Sequence, residues 1–281
     1  MTRPESRRLV MVLEYDGTRF RGSQVQRGQP TIQGELAHAL DSLTGERPRL
    51  TFAGRTDAGA HALGQVASAV LDSPLDVDRL VAGVNHYLPA SIAVRGASWA
   101  PLEFDVRRAA VRRRYRYLVL NSPWRSPLWS ERAHHWAEPL DVARMNTAAQ
   151  SLVGRRDTSA FVSRARLGLR SPLRTICAAQ VWRKGERVQF ELEGDSFLPH
   201  QIRRTVGALL QVGSGRMSVE EFAALATGKG GRYTGPVAPA GGLYLVSVSY
   251  PEATSAGVDA DSATERNFRG ALGRGTFEER A

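Results

Sequence analysis

From Phe52 to Gln65 the chain reads Phe-Ala-Gly-Arg-Thr-Asp-Ala-Gly-Ala-His-Ala-Leu-Gly-Gln, which sets the basic Arg55, the acidic Asp57 and the imidazole of His61 in one glycine-bracketed turn. A carboxylate in such a turn can attack an electrophilic carbon or remove a proton, and neither role needs a metal or a redox cofactor. Gly54 and Gly59 are expected to take positive φ angles and to admit close approach by another molecule, with Arg55 and His61 biasing the protonation of Asp57 between them. A Thr-Asp pair on its own more often caps a short helix by satisfying local amides. The turn therefore has to be read with the elements that position it.

Residues 9–15 read as a strand, dominated by β-favouring types and closed by the Asp16-Gly17 turn signal. Thr31 is placed to cap a helix whose apolar face is Ile32, Leu36, Ala39, Leu40 and Leu43. Strands at 50–53 and 65–71 flank the Asp57 turn, a helix covers 77–87, and 92–99 is extended. This order is β-α-β-β-α-β, the split ferredoxin-like unit. The second half repeats it with a strand at 115–120, a helix at 142–152, strands at 176–182 and 188–193, a helix at 201–212 and a strand at 243–250. A further short helix is expected at 219–226, and an Arg-rich linker at 100–114. The fold class is α+β, with units at 8–105 and 106–250 and a disordered tail without catalytic role at 251–281.

With 42% hydrophobic residues, the 281-residue chain can build a core in one large domain or two ordinary ones. The formal charge is +10, and every basic residue except Lys184 and Lys229 is arginine. A planar guanidinium donates two hydrogen bonds at once to phosphate, so nucleic acid is the leading partner class. Cys177 is the sole cysteine, which excludes an intrachain disulfide and a cysteine-based metal cluster; beside Ile176 and Ala178 it is expected to be a buried thiol. The histidines lack metal-ligand spacing, and the adjacent His134 and His135 would point to opposite faces of a strand, so no metal is expected. Residues 1–8 are polar, no apolar stretch long enough for a signal peptide follows, and no run reaches membrane-spanning length. A cytoplasmic location without membrane association is expected.

Gly54-Arg55-Thr56-Asp57-Ala58-Gly59, followed by His61 and Gly64-Gln65-Val66, resembles the signature of the tRNA pseudouridine synthase A (TruA) family. Four further motifs match in family order: Glu14-Tyr15-Asp16-Gly17-Thr18, Arg113-Arg114-Tyr115-Arg116-Tyr117, Phe197-Leu198-Pro199-His200-Gln201-Ile202-Arg203 and Gly242-Leu243-Tyr244-Leu245-Val246. The resemblance spans roughly residues 8–250 and favours the catalytic reading of Asp57 over the helix cap. It implies a cofactor-independent isomerase that cleaves the N1–C1′ bond of a uridine, turns the base and joins C5 to the same sugar carbon. It further implies a broad sheet shared by two ferredoxin-like halves with a central cleft, a tRNA substrate modified at positions 38 to 40 of the anticodon arm, and a homodimer.

The resemblance also assigns roles. Asp57 would be the catalytic carboxylate, and whether it attacks sugar, attacks base or acts as a base stays open. Arg203 would pair with it, keeping it ionised and directed, with Arg204 the nearest competitor. Tyr115 would stack on the target uracil, as an aromatic face can hold a displaced base, while Leu243 would line the uracil pocket. Arg55 would assist base flipping. Phe104, Arg107, Arg108, Arg166 and Arg170 would contact RNA. Departures from the family pattern are Ser23 where tryptophan is usual, Ala60 where valine is usual, and Arg204 where asparagine is common. Two other readings are a noncatalytic RNA-binding protein, which leaves Asp57, Tyr115 and Arg203 without purpose, and a carboxylate glycosidase or nucleosidase, which would ordinarily need a second acid.

Overall fold

The structure, a computed structural model, describes residues 6–163 and 171–251. Its strands are β1 (Arg7–Tyr15), β2 (Thr51–Phe52), β3 (His61–Leu71), β4 (Ile92–Ala100), β5 (Arg112–Asn121), β6 (His134–Trp136), β7 (Gly154–Asp157), β8 (Leu173–Lys184), β9 (Arg187–Gly194) and β10 (Leu243–Ser249). The helices are α1 (Ile32–Thr44), α2 (Val77–Tyr87), α3 (Val142–Gln150), α4 (Gln201–Gly213) and α5 (Val219–Ala226).

Among the described residues the strands form one sheet in the order β4-β1-β3-β10-β5-β9-β8-β7, with β2 on β3 and β6 on β5. The pairings along that path are antiparallel except β3 with β10, a short parallel contact in which Tyr244 faces His61 and Leu245 faces Ala62. The last strand of the fold thus lies beside the strand that leaves the Asp57 turn. Its other neighbour is β5, where Leu245 sits opposite Tyr115. Helices α1 and α2 pack on each other and α2 on β4, while α3 packs on β8 and against α4 and α5. One hydrophobic cluster runs from Leu9 and Leu36 through Tyr117 to Phe190 and Val206, so the core is continuous across the molecule.

Most helix starts are fixed by side-chain caps, each contributing about 1 kcal/mol. Thr31 accepts from the Gly34 amide, Asp76 from Arg79 and Asp141 from Arg144, while Ser218 and Glu221 complete a capping box on α5. The start of α4 lacks such a cap: His200 stands there in the left-handed region, φ 62°.

Several sequence expectations are corrected. The strand expected at 50–53 shortens to β2, and the strand expected from 65 starts at His61, because Ala62 and Val66 already pair with Tyr15 and Val12 of β1. The expected linker ends at 111, since Arg112–Arg114 pair with Val248, Ser249 and β9 in the sheet. The short strands β6 and β7 have no alternating signature to reveal them. Cys177 is exposed, because it is the extra residue of a bulge between Ile176 and Ala178 in the β8–β9 ladder. The 251–281 tail lies outside the described residues beyond Pro251. No helix among the described residues is long and apolar enough to cross a membrane.

Candidate active site

The turn from Gly54 to Ala60 is held from three directions. Gln65, fully buried in β3, docks its amide on Gly54: Nε2 donates to Gly54 O at 2.8 Å and Oε1 accepts from Gly54 N at 3.3 Å. Ser23 grips the next residues, its Oγ accepting from Thr56 N at 2.9 Å and its own amide donating to Thr56 O at 3.2 Å. Thr56 Oγ1 shares a hydrogen bond of 2.8 Å with the buried Tyr15 hydroxyl. The turn closes through Ala60 N to Asp57 O at 3.1 Å, with Gly59 at φ 79°. Gly17 presses on it from behind: a Cβ there would overlap Ala60 O. Gly59 alone of the two bracketing glycines has the expected positive φ; Gly54 does not.

His61 does not flank Asp57 as expected. Because it begins β3, its ring turns toward the Asp16 loop, with Nδ1 accepting from Gly17 N at 3.1 Å and lying 3.3 Å from Asp16 Oδ1. Its Nε2 sits 2.9 Å from both Glu131 O and Gly241 O, and the ring stacks on Tyr244 at 4.7 Å. Thr18 donates to the same Asp16 oxygen through its amide at 3.1 Å and its hydroxyl at 2.5 Å, which fixes the carboxyl beside the ring. His61 is therefore a buried strut between the turn and two distant loops.

The basic groups beside Asp57 come from α4 and the residue that precedes it. Arg203 Nη1 donates to Asp57 Oδ2 at 3.0 Å, and His200 Nε2 lies 3.7 Å from Oδ1. Arg203 is itself aimed by Nε, which donates to Ala238 O at 2.7 Å. Arg204, one position along the helix, turns to Tyr233 O at 3.3 Å instead. On β5, Tyr115 is buried and meets Phe197 edge to face at 5.4 Å. Burial, with Tyr15 and Asp57 adding smaller pushes against Arg113, raises its phenol well above the ordinary range. Tyr117 goes wholly into the core, its hydroxyl donating to Pro239 O at 2.7 Å.

Asp57, Arg203, Tyr115, Leu243, Arg55 and Arg107 thus line one cleft of about 550 Å³. Asp57 is the only carboxylate on its walls among the described residues, against Arg21, Arg55, Arg107, Arg113 and Arg203. Such a trough attracts a polyanion and concentrates negative charge near a single acid. Arg107 and Arg108 are both exposed, with their amides donating to Asp105 Oδ1 at 2.8 and 3.1 Å. Phe104, expected to touch RNA, is instead buried, its ring 5.4 Å from Tyr250. Arg166 and Arg170 lie outside the described residues. Sequence reasoning gives no role to Ser23, Gln65, Arg113, Phe197 or His200. Their signal is slight: each is a polar or aromatic residue inside or beside a motif, with nothing in spacing to show which way it points.

A family model described as tRNA pseudouridine synthase matches residues 11–107 and 148–251. A protein of Neisseria meningitidis serogroup C named tRNA pseudouridine synthase A is 42% identical over 254 residues, covering 90% of this chain and 96% of the relative. Relatives bearing the same name are 37% identical in Acetivibrio thermocellus, over 87% of this chain and 100% of the relative, and 39% identical in Chloroflexus aurantiacus, over 87% and 89%.

Proposed function

Since the chain belongs to the tRNA pseudouridine synthase family, we propose that it isomerises uridine to pseudouridine in the anticodon arm of tRNA, at positions 38 to 40, with Asp57 as the catalytic carboxylate. The observation that carries this reading is the Asp57–Arg203 pair at 3.0 Å on the wall of an arginine-lined cleft that holds no second carboxylate among the described residues. A hydrolytic glycosidase would ordinarily require that second acid. An isomerisation that returns every atom to the product needs one carboxylate, fixed in direction and facing the sugar and base.

In this reading a stacked uridine must leave its helix to reach the cleft. Arg55, exposed at the mouth, is suited to the vacated position, because a guanidinium can stack as well as bind phosphate. Tyr115 presents the displaced base with an aromatic wall braced by Phe197, and Leu243 adds apolar surface. Arg203 keeps Asp57 aimed through the steps in which the N1–C1′ bond breaks, the C5–C1′ bond forms, and C5 gives up its proton while N1 takes one up. Arg107 and Arg108, with Arg166 and Arg170, supply phosphate contacts.

The order β10-β5-β9-β8 repeats the order β4-β1-β3-β2, which supports two ferredoxin-like halves, 8–105 and 106–250, meeting at β3 and β10. Family likeness alone supports a homodimer acting in the cytoplasm. The test is incubation of the purified chain with unmodified tRNA transcripts and mapping of pseudouridine at single-nucleotide resolution. Product at positions 38 to 40, lost in D57N, is expected; tight binding without product, or release of free uracil, would overturn the reading.

A further inference from the structure

Arg113 is a cleft residue that the proposed chemistry leaves without a task. Although cationic and only 9% exposed, it directs its hydrogen bonds to carbonyls. Nη1 donates to Ala110 O at 3.0 Å and Asp195 O at 2.6 Å, and Nη2 to Ala53 O at 3.1 Å and Arg107 O at 2.8 Å. The four terminal N–H groups of the guanidinium are thereby matched one to one.

Those carbonyls belong to three segments that are remote in sequence. Ala53 immediately precedes the Asp57 turn. Arg107 and Ala110 belong to the connection between β4 and β5, and Arg107 reaches the cleft. Asp195 opens the loop whose Ser196 and Phe197 form the facing wall. Arg113 itself lies two residues before Tyr115 on the same face of β5, the face whose residues 113, 115 and 117 are buried. A single planar group therefore fixes the Asp57 turn, the Tyr115 strand and the Phe197 wall relative to one another. A buried cation is a costly way to gain packing alone, since an apolar residue of similar volume is often as stabilising. Its distinctive capacity here is direction: the fork holds four acceptors at set angles.

We propose that Arg113 is a positioning residue for the isomerisation, setting the distance between Asp57 and the base-holding wall of Tyr115 and Phe197 while contacting backbone rather than RNA. This rests on the function proposed above. A misplacement of about 1 Å can lower turnover about a hundredfold, so the effect belongs in kcat.

The experiment compares wild type, R113Q and R113K for kcat and KM on an unmodified tRNA transcript, for tRNA affinity across salt concentrations, and for thermal unfolding. R113Q is expected to lose about a hundredfold in kcat, with KM and affinity within about twofold and an unchanged salt slope. R113K is expected to recover at least tenfold of that loss, because an ammonium has three N–H donors that can serve some of the carbonyls. A salt slope reduced by about 1 would make Arg113 a phosphate contact and overturn the proposal. Wild-type kcat in R113Q would also overturn it. Should R113Q fail to fold, R113K decides: a several-fold lower kcat at unchanged KM supports the proposal, and an unchanged kcat overturns it. Wild type that forms no pseudouridine sinks the functional reading together with this inference, whereas active wild type alongside equally active variants sinks the inference alone.

Discussion

Arg203 reaches Asp57 across 146 positions of sequence, its Nη1 donating to Oδ2 at 3.0 Å while its Nε holds Ala238 O at 2.7 Å. The guanidinium is thus anchored at one edge and presents the other to the carboxylate, so the direction of Asp57 is set by α4 and not by its own turn alone. We expect D57N to bind tRNA with wild-type affinity and to form no detectable product. R203Q should retain binding and lose about a hundredfold or more in kcat, the usual size for removal of one preorganised polar partner. Single-turnover assays at saturating enzyme check both. Near-normal turnover by D57N would remove Asp57 from the chemistry.

The same turn depends on a glycine that never touches the cleft. A Cβ on Gly17 would overlap Ala60 O, a backbone atom that can yield only if the turn moves. G17A is therefore expected to lower stability by about 1–3 kcal/mol, as overpacking does, and to reduce kcat further than the stability loss explains. G45A is the control for a backbone effect away from the site. Gly45 closes α1 at φ 73°, where alanine is strained, yet a Cβ there would meet no atom within 4 Å, so G45A should leave kcat unchanged. Equal kcat in the two variants would show that the Gly17 contact does not shape the site.

Much of this arrangement is legible in the sequence, and the reasons differ by element. The helices at 77–87 and 219–226 have the ends expected from sequence, because Asp76 and Ser218 cap them and an apolar stripe runs their length. The pairing of Tyr115 and Tyr117 on one face follows from the two-residue period of a strand. The period does not tell a cleft from a core: Tyr115 meets the cleft, whereas Tyr117 is sealed under Pro239. The orientation of His61 is hidden because a turn and the strand that follows it look alike in sequence until the partner strand is known. Phe104 is ambiguous for a related reason, since an aromatic residue among arginines fits an RNA surface and a core wedge equally well. The four carbonyls of the Arg113 clamp come from residues 53, 107, 110 and 195, and backbone acceptors leave no trace in side-chain identity.

The buried tyrosine under the turn gives an alkaline limit. Burial pushes the Tyr15 phenol up to about 12 from 10.0, against the pull of its Thr56 and Gln65 hydrogen bonds. A folded-state value above the unfolded one means that the contribution is complete below pH 10 and is lost as pH rises from 10 toward about 12. Tyr115, Tyr117, Tyr244 and Tyr250 are raised by burial in the same sense. The thermal midpoint is expected to fall steeply above pH 10, and Y15F to fall less steeply over that range. Parallel alkaline limbs for Y15F and wild type would refute the assignment.

Arg107 and Arg108 expose their side chains, Arg107 on the cleft wall, whereas Phe104 buries its ring against Tyr250. Replacing either arginine with alanine should lower the slope of log affinity against log salt by about 1 and leave the unfolding midpoint near wild type. F104A should do the reverse: a loss of about 3–5 kcal/mol in stability with an unchanged salt slope. Salt-dependent tRNA binding and denaturant unfolding separate the two classes. An F104A variant with full stability and weakened tRNA binding at an unchanged salt slope would return Phe104 to the RNA surface.

His200 is the only non-glycine residue at positive φ among the described residues, and its Nε2 faces Asp57 Oδ1 at 3.7 Å. Two explanations of the residue make opposite forecasts. If the backbone alone matters, H200G relieves the left-handed strain, raises the unfolding midpoint and keeps turnover. If the imidazole holds the second oxygen of the carboxylate while Arg203 holds the first, turnover falls whenever the ring is removed. H200N separates them, because asparagine tolerates the left-handed region better than most residues but lacks the imidazole ring. We expect H200N to unfold at the wild-type temperature and to lose several-fold in kcat at unchanged KM, with H200G more stable and equally slow. Full turnover in both variants would reduce His200 to a backbone accommodation at the start of α4 and leave the aiming of Asp57 to Arg203.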